Sequence, residues 1–443
     1  MNLNININLK NILSFVIPSV FMQLILAMYT VIDSLFVSNF VPNNGIGALN
    51  LVMPIINITI AFSLMFISGS SALIGKYLGE KKEKEANQLL TFIIMFGVFF
   101  TSILIIILFY FKQEVYNILG VINELIPLVD QYYLTIILFL PFLFLQICTM
   151  FFLIVDGKPK LSFIYILLGG ITNIILDYVL VVKLNFGLTG AAIATGFSYV
   201  ISGSLVLFYF LRKKETLKFI RPFCSFKEFI KIITNGISEM ISNLSESIMI
   251  LLYNITLLGL IGVIGINAIG ILLQLNFLQL SVFFGYCVGI SPIISYKYGE
   301  KNFDDILKII KYSIILILGY SISNLIFIIF FGTDLVSLFT KDQNLYQLTT
   351  IGLYHFSISY LITGINIFIS AFLTAVSKGI ASGVSAFLRT IVFISGSIIL
   401  LPKIFNLEGV WLSPIVGEFL TIIVNILLLI IFIKKIKKEC EIL

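Results

Sequence analysis

Residues 89–111 of the chain read LLTFIIMFGVFFTSILIIILFYF, a run without a single charged side chain. A membrane-spanning helix needs roughly 20 predominantly apolar residues, so this stretch predicts a helix buried in a bilayer. The whole chain has the same character: 59% of its 443 residues are hydrophobic, 11% are charged, and the mean hydropathy is +1.10. Soluble domains carry about 25% charged residues. The composition therefore excludes a water-soluble enzyme and allows about a dozen such helices.

Apolar segments separated by charged residues and by Gly, Pro or Asn predict twelve membrane-spanning helices. Several of the segments are longer than a bilayer requires, which indicates tilted helices or helices that project beyond the lipid. The predicted spans are residues 12–40, 47–75, 89–111, 125–155, 161–182, 187–211, 229–259, 265–296, 309–331, 346–376, 380–401 and 408–433. The predicted fold class is therefore an all-α integral membrane protein.

The 28 Lys and Arg residues are distributed unevenly among the loops between these spans. Alternate loops on one side hold 23 of them, those on the other side hold four, and Arg389 falls inside a span. Cytoplasmic loops of membrane proteins carry an excess of Lys and Arg. The distribution predicts that both termini are cytoplasmic. It also accounts for the net charge of +6 without a nucleic-acid partner.

The two halves of the chain resemble each other. A single shift along the chain aligns Gly79-Glu80-Lys81 with Gly299-Glu300-Lys301 and places Ser71 on Ser291. Residues related by this shift are called repeat-equivalent below. Because six spans form each half, the repeats are predicted to be parallel, and two like bundles with a cleft between them are typical of alternating-access carriers. The predicted domains are an N-terminal six-helix lobe at 1–211, a cytoplasmic linker at 212–228 and a C-terminal six-helix lobe at 229–443.

Ionisable side chains inside the spans are candidates for function, because each costs about 2.5–3.5 kcal/mol to insert. Seven are predicted there: Asp33, Asp177, Glu239, Glu246, His355, Arg389 and Glu418. Helix rise places Asp33 about 14 Å and Asp177 about 9 Å below the outer surface, so the two carboxylates can approach each other. Asn173 lies one turn before Asp177 on the same face. These three residues are a candidate cation-coupling site, which holds either an exchangeable proton or Na⁺. The alternative is that each carboxylate hydrogen-bonds to a nearby helix end or hydroxyl.

The remaining ionisable residues belong to the second half. Glu239 and Glu246 are seven residues apart on one helix and are predicted to face the same way. Arg389 and Glu418 both fall near mid-bilayer. These four residues are candidates for a substrate site or a second polar site, and a purely structural Arg389–Glu418 pair is an equal alternative. His355 is isolated and is interpreted as structural.

Four short stretches carry a family resemblance: 31–37 VIDSLFV, 172–177 TNIILD, 190–195 GAAIAT and 289–299 GISPIISYKYG. Together they resemble the multidrug and toxic compound extrusion (MATE) family, and the last is similar to its MepA-like branch. The resemblance implies two lobes that form a V, and cation-coupled export of amphipathic, often cationic drugs. It also implies a first-lobe cation site that matches Asp33, Asn173 and Asp177.

The sequence therefore predicts a multi-pass transporter of the plasma membrane, an antiporter that exports organic cations in exchange for H⁺ or Na⁺. We expect it to act as a monomer with no cofactor beyond the coupling ion. The sequence contains no Walker P-loop, HExxH or GxSxG motif, so we do not expect an enzyme. The alternative is a lipid-linked saccharide flippase of similar architecture, whose cavity would favour basic residues to hold pyrophosphate.

Overall fold

Twelve long apolar helices dominate the computed structural model of the chain, which describes residues 3–41, 45–212 and 216–441. The twelve spans are α1 (Leu9–Phe40), α2 (Gly47–Gly79), α3 (Glu83–Tyr110), α4 (Asn123–Val155), α5 (Pro159–Lys183), α6 (Gly187–Phe210), α7 (Phe226–Ile261), α8 (Val263–Gly299), α9 (Phe303–Ser337), α10 (Gln343–Ala375), α11 (Gly379–Leu400) and α12 (Pro402–Lys434). A short helix, Lys112–Leu119, lies between α3 and α4. Those residue ranges contain no strand. The predicted all-α fold with twelve spans is confirmed.

Several helices begin earlier than hydropathy predicts, because polar residues cap them outside the apolar run. Helix α9 begins at Phe303 rather than near residue 309, and the side chain of Asn302 accepts a hydrogen bond from the Asp305 amide at 3.1 Å. Helix α7 begins with a capping box in which Ser225 and Glu228 bond each other's backbone. Such caps satisfy amides that the first helical turn leaves without partners.

Helix α4 is broken in the middle. A 3₁₀ turn at Ile137–Phe139 separates an α-helical piece that ends at Ile136 from one that begins at Leu140. Pro141 lies in the first turn of the second piece, where its missing N–H costs no helical hydrogen bond. The break follows from this proline.

Helices α5 and α11 each contain a wide π turn. The π segments are Asp177–Lys183 and Leu388–Ile394. Such turns often occur at functional sites. The first begins at Asp177 and the second includes Arg389, so both distortions lie at ionisable residues that the sequence singled out.

The predicted repeat is visible in the backbone. The repeat-equivalent residues Lys81 and Lys301 both adopt left-handed conformations, with φ of 60° and 58°. Gly157 and Ser377 form another repeat-equivalent pair, with φ of 76° and 57°. A non-glycine residue rarely adopts this conformation. Its recurrence at the same repeat position indicates that the loops of both halves are built alike.

The halves α1–α6 and α7–α12 meet at a symmetric crossing of α2 and α8. A Cβ atom built on Gly79 would lie 2.0 Å from the carbonyl oxygen of Tyr296, and one built on Gly299 would lie 2.1 Å from that of Lys76. Lys76 and Tyr296 are themselves repeat-equivalent. Only glycine permits this backbone contact. We call the membrane side at which Gly79 and Gly299 lie the basic side, because its loops carry most of the Lys and Arg residues.

Further contacts between the halves join α2 to α7 and α1 to α8. A Cβ on Gly69 would lie 2.0 Å from the carbonyl oxygen of Ile232, and one on Gly285 would lie 2.6 Å from Cα of Val20. These contacts lie in the parts of the four helices that are nearer the basic side, so the halves are closed against each other there. The lobe boundaries and the cytoplasmic position of the termini stay predictions, and Lys213 and Lys214 of the predicted linker lie outside the described residues.

Candidate functional site

Asp33, Asn173 and Asp177 lie together in the interior of the first half. Asp33 belongs to α1 and the other two to α5, and these helices pack against each other. Asp33 is 6% exposed, whereas Asn173 and Asp177 are fully buried. The two carboxyl groups are close enough to interact with each other. The structure thus places the three predicted residues in one cluster, which we call the Asp33 cluster.

The oxygens of the Asp33 cluster lack hydrogen-bond donors. Both side-chain oxygens of Asp177, Oδ1 of Asp33 and Oδ1 of Asn173 are buried without a partner. Nδ2 of Asn173 donates to Oγ1 of Thr195 at 3.5 Å, which is long for a hydrogen bond. Burying an unpaired ionised carboxylate is costly. The arrangement can be neutralised by a proton shared between the carboxyls or by a cation held by their oxygens.

Three buried tyrosines from three helices surround these carboxylates, and the sequence did not single them out. Tyr29 of α1, Tyr132 of α4 and Tyr199 of α6 all lie near Asp33. Tyr132 also lies beside Thr195. Tyr29 precedes Asp33 by one helical turn, a spacing that sequence could have used. Tyr132 and Tyr199 are distant along the chain and offered no such signal.

The second half contains a buried ion pair. Nε and Nη2 of Arg389 donate to Oε1 of Glu418 at 3.0 and 2.8 Å. Glu418 is 3% exposed and Arg389 is 13% exposed at the side chain. The pairing that the sequence proposed is therefore present, and it joins α11 to α12.

Neutral polar side chains extend this pair into a network that sequence reasoning missed. Asn366 of α10 donates to Oε2 of Glu418 at 2.7 Å and accepts from Asn425 at 2.9 Å. Ser385 donates to Oδ1 of Asn425 at 2.5 Å. The network ties α10, α11 and α12 together and uses both oxygens of Glu418. We call these five residues, Arg389, Glu418, Asn366, Asn425 and Ser385, the Arg389 network.

Glu239 lines a cavity between the two halves. The cavity is small, with a volume of about 40 Å³, and its walls include Ser68, Phe151 and Phe284. Glu239 is the only carboxylate among the described lining residues, and no basic side chain lines it there. Arg389 is near enough to interact electrostatically with Glu239. The cavity therefore combines aromatic walls with one acidic group.

The cavity lies on the axis that relates the two repeats. Its lining includes three repeat-equivalent pairs: Ser68 with Val288, Ser71 with Ser291, and Phe151 with Ala371. Glu239 breaks the symmetry, because its repeat-equivalent residue is Ser19. Substrate sites of transporters with internal repeats lie at the interface of the repeats.

Glu246 and His355 have separate surroundings. The side chain of Glu246 is exposed and does not line this cavity. Nδ1 of His355 lies 2.9 Å from the carbonyl oxygen of Ile351, one turn earlier in its own helix. This local contact agrees with a structural histidine.

The halves of the chain each match one family. The family model described as MatE matches residues 18–179 and again residues 239–399. The chain belongs to the MatE family. The predicted family is therefore confirmed, and the double match agrees with the internal repeat. As a MatE protein with twelve apolar spans, the chain is a multi-pass plasma-membrane protein of a transporter family.

Curated relatives of this MatE protein include multidrug export proteins named MepA. The protein from Staphylococcus saprophyticus is 24% identical over 92% of this chain and 90% of its own length. A Staphylococcus aureus counterpart is 26% identical over 93% of this chain and 91% of its own length. The resemblance to the MepA-like branch is thus confirmed over most of the chain.

Solved MATE structures share the fold. A structure of MATE in complex with MaL6 has a TM-score of 0.92 at 20% identity and covers 97% of both chains. The outward-facing conformation of a multidrug resistance MATE family transporter of the MOP superfamily has a TM-score of 0.91 at 21% identity and covers 97% of both chains. At these identities the likeness establishes the MatE fold alone.

Proposed function

We propose that this MatE protein is a secondary antiporter that exports amphipathic organic cations by alternating access, in exchange for H⁺ or Na⁺. The observation that carries the proposal is the Asp33 cluster, where buried carboxylates of α1 and α5 lack hydrogen-bond donors. The chain would act as a carrier without a resident cofactor and without catalysis. The relatives' name, multidrug export protein, supports the drug-like class of cargo.

The coupling ion is assigned to the Asp33 cluster. When both carboxylates are ionised, their repulsion and burial disfavour the closed site, and a bound cation removes this penalty. A proton would bridge Asp33 and Asp177, whereas Na⁺ would also draw on Oδ1 of Asn173. Either ion makes the loaded cluster electrically more neutral, which lets the first half change shape only when the ion is bound or released.

The organic cation is assigned to the cavity lined by Glu239, which must widen as the two halves move apart to admit a drug-sized molecule. Phe151 and Phe284 provide apolar and aromatic surface, to which flat cations are attracted. Glu239 supplies the single countercharge. Glu246, exposed on the same helix, is assigned to the approach to the cleft rather than to this cavity.

Membrane voltage constrains the exchange ratio. Moving one charge across 100 mV is worth about 2.3 kcal/mol. Exchange of one monovalent substrate for one ion is electroneutral, so the concentration gradient of the ion alone drives it. A second ion per substrate would add the voltage term.

Efflux of a fluorescent cationic dye from proteoliposomes tests the proposal, with a pH gradient and a Na⁺ gradient imposed separately. The productive gradient identifies the ion. Asp177→Asn should abolish gradient-driven efflux under that gradient. Asp130→Asn is the matched control: this carboxylate of the same half is paired with Lys112 at the surface, and efflux should persist. Undiminished efflux by Asp177→Asn would reject the Asp33 cluster as the coupling site.

The substrate cavity has its own test. Glu239→Gln should raise the KM for a cationic dye by about tenfold, which corresponds to losing about 1.4 kcal/mol of charge attraction. The KM for a neutral amphipathic compound should change little. Equal effects on both compounds would reject Glu239 as the countercharge.

The saccharide flippase is not favoured. Pyrophosphate recognition requires unpaired basic groups, and Arg389 is already bound to Glu418. The cavity instead contains the acidic Glu239, which would repel an anionic pyrophosphate.

A further inference from the structure

Two hydrogen bonds flank the crossing of Gly79 and Gly299, and each links one half to the entry segment of the other half. The hydroxyl of Tyr77, near the end of α2, donates to Oε1 of Glu228 at 2.5 Å. Glu228 lies in the first turn of α7, which opens the second half. The first half therefore holds the start of the second.

The reciprocal bond involves a buried lysine. Nζ of Lys297, near the end of α8, donates to Oδ1 of Asn4 at 3.0 Å. Asn4 lies in the segment before α1, where Leu3 and Ile7 are buried. Lys297 is only 3% exposed although it is charged. The second half therefore holds the entry segment of the first.

The donors of the two bonds are equivalent under the repeat, whereas their acceptors are not. Tyr77 and Lys297 are repeat-equivalent. The α2–α8 crossing lies between them, at Gly79 and Gly299. Chemically different side chains at equivalent positions thus both donate a hydrogen bond to the other half, although the local sequences around Glu228 and Asn4 differ.

Both bonds can break without stranding a charge. When Tyr77 leaves, Glu228 still accepts from the amide and hydroxyl of Ser225 at 2.9 and 2.7 Å. When Asn4 leaves, Lys297 still pairs with Glu300 at 3.1 Å and Asp305 at 3.3 Å. Stranding a buried charge would be severely destabilising, whereas losing one neutral partner is mild. The bonds are therefore strong enough to bias a conformation and weak enough to release.

We propose that Tyr77–Glu228 and Lys297–Asn4 are paired, releasable latches that hold the cleft shut on the basic side, with Tyr77 and Lys297 as positioning residues of the transport cycle. The proposal rests on the alternating access proposed above. Opening on this side requires α2 to leave α7 and α8, and α1 to leave α8. Both latches must then break together with the glycine crossing.

Distance measurements between spin labels test the latches without any transport assay. Labels are placed by Lys84→Cys and Asp304→Cys, exposed repeat-equivalent positions at the starts of α3 and α9, after the four native cysteines are replaced by alanine. The otherwise unmodified protein should give one dominant short distance. Tyr77→Phe and Asn4→Ala should each raise the ratio of long to short distances about fivefold, the factor that one ordinary hydrogen bond supplies. Together they should raise it by roughly 25-fold, the product of the two independent effects.

A substitution that should strengthen one latch, and so lower the long-to-short ratio, distinguishes a latch from a merely structural contact. Asn4→Asp places a carboxylate against Lys297 and should lower the long-to-short ratio, and it should also slow dye efflux. The controls are Asn6→Ala, an exposed neighbour of Asn4, and Tyr312→Phe, a half-buried tyrosine of α9. Both controls should leave the ratio unchanged.

The outcomes distinguish this proposal from the proposed function. Unchanged ratios in Tyr77→Phe, Asn4→Ala and their double variant would overturn the latches, whatever the transport result. A rise in Asn4→Asp equal to that in Asn4→Ala would also overturn them. If the ratios move as expected but no gradient drives dye efflux, the latches stand and the antiport function fails.

Discussion

The two halves share one repeat but differ in how the polar groups around their buried carboxylates are hydrogen-bonded. In the second half, Glu418 pairs with Arg389 and also accepts from Asn366. In the first half, the residue that is repeat-equivalent to Asn366 is Gln146. Its Nε2 atom is buried without a partner. At this repeat position, the side-chain amide is fully hydrogen-bonded in the second half and left partly unsatisfied in the first.

The carboxylates show the same difference. The position equivalent to Asp33 is Tyr253, whose hydroxyl lies 3.0 Å from Oγ of Ser413. The second half thus has a neutral, hydrogen-bonded group where the first half has a carboxylate without enough donors. Buried charges that are fully compensated fix one structure, whereas uncompensated ones respond to an added cation. The comparison indicates that the first half is the ion-sensitive one and the second the rigid one.

The largest expected effect comes from removing the negative charge of Glu418 from the Arg389 network. Glu418→Gln leaves Arg389 buried without its counterion, which should destabilise the protein by about 3–5 kcal/mol. The thermal unfolding midpoint in detergent measures the loss. Replacing both Arg389 and Glu418 by Met should recover most of it, because an apolar pair strands no charge. The exposed Glu246→Gln serves as the control and should have little effect. If Glu418→Gln unfolds at the normal temperature, the second half is not held by this pair.

A smaller loss is expected at the neutral end of the network. Ser385→Ala removes the donor to Asn425 and leaves a buried amide oxygen unsatisfied, which costs about 1–3 kcal/mol. Ser323→Ala is a matched control, since the Ser323 hydroxyl is exposed and bonds only its own helix at Gly319. Equal midpoints for the two variants would contradict the rigid role of the network.

In the first half, removing a buried carboxylate should raise the stability of the protein rather than lower it. Asp177→Asn removes a buried carboxylate whose oxygens have no partners, so the unfolding free energy at neutral pH should rise by on the order of 1 kcal/mol. The same variant is the one expected to lose coupled efflux. Stability and function would then change in opposite directions, which is typical of an active site. A destabilisation comparable to that of Glu418→Gln would mean that Asp177 is structural.

The sequence predicted two parts of this comparison, the membrane spans and the ionisable residues buried within them. Hydropathy gives the twelve spans, since each apolar run exceeds the membrane thickness, and an isolated Asp33 or Arg389 stands out in such a run. Helix rise placed Asp33 and Asp177 at similar depth, and the structure brings them together. The boundaries were less accurate where charged first turns, as in α9, belong to the helix.

The neutral polar partners could not be predicted in this way. Asn366, Asn425 and Tyr132 differ little from the other polar residues of the spans, and their roles depend on which helix faces which. The π turns that begin near Asp177 and Arg389 also change the helical register, so ideal spacing fails there. Glu239, singled out as an ionisable residue within a span, and the predicted cleft between the repeats were the sequence signals for the axial cavity, and Ser71 and Ser291 at equivalent repeat positions also line it.

The smallest effect is expected at an ion pair that is exposed to solvent, unlike the buried Arg389–Glu418 pair. Lys112 and Asp130 lie 3.0 Å apart in the first half, with side chains 32% and 30% exposed. Asp130→Asn should cost no more than about 1 kcal/mol, because water and salt screen such pairs. Unfolding midpoints at low and high salt measure this, and the small loss should vanish at high salt. A loss as large and as salt-independent as that of Glu418→Gln would show that burial is not what separates the two ion pairs, and the contrast between the halves would then rest on the Asp33 cluster alone.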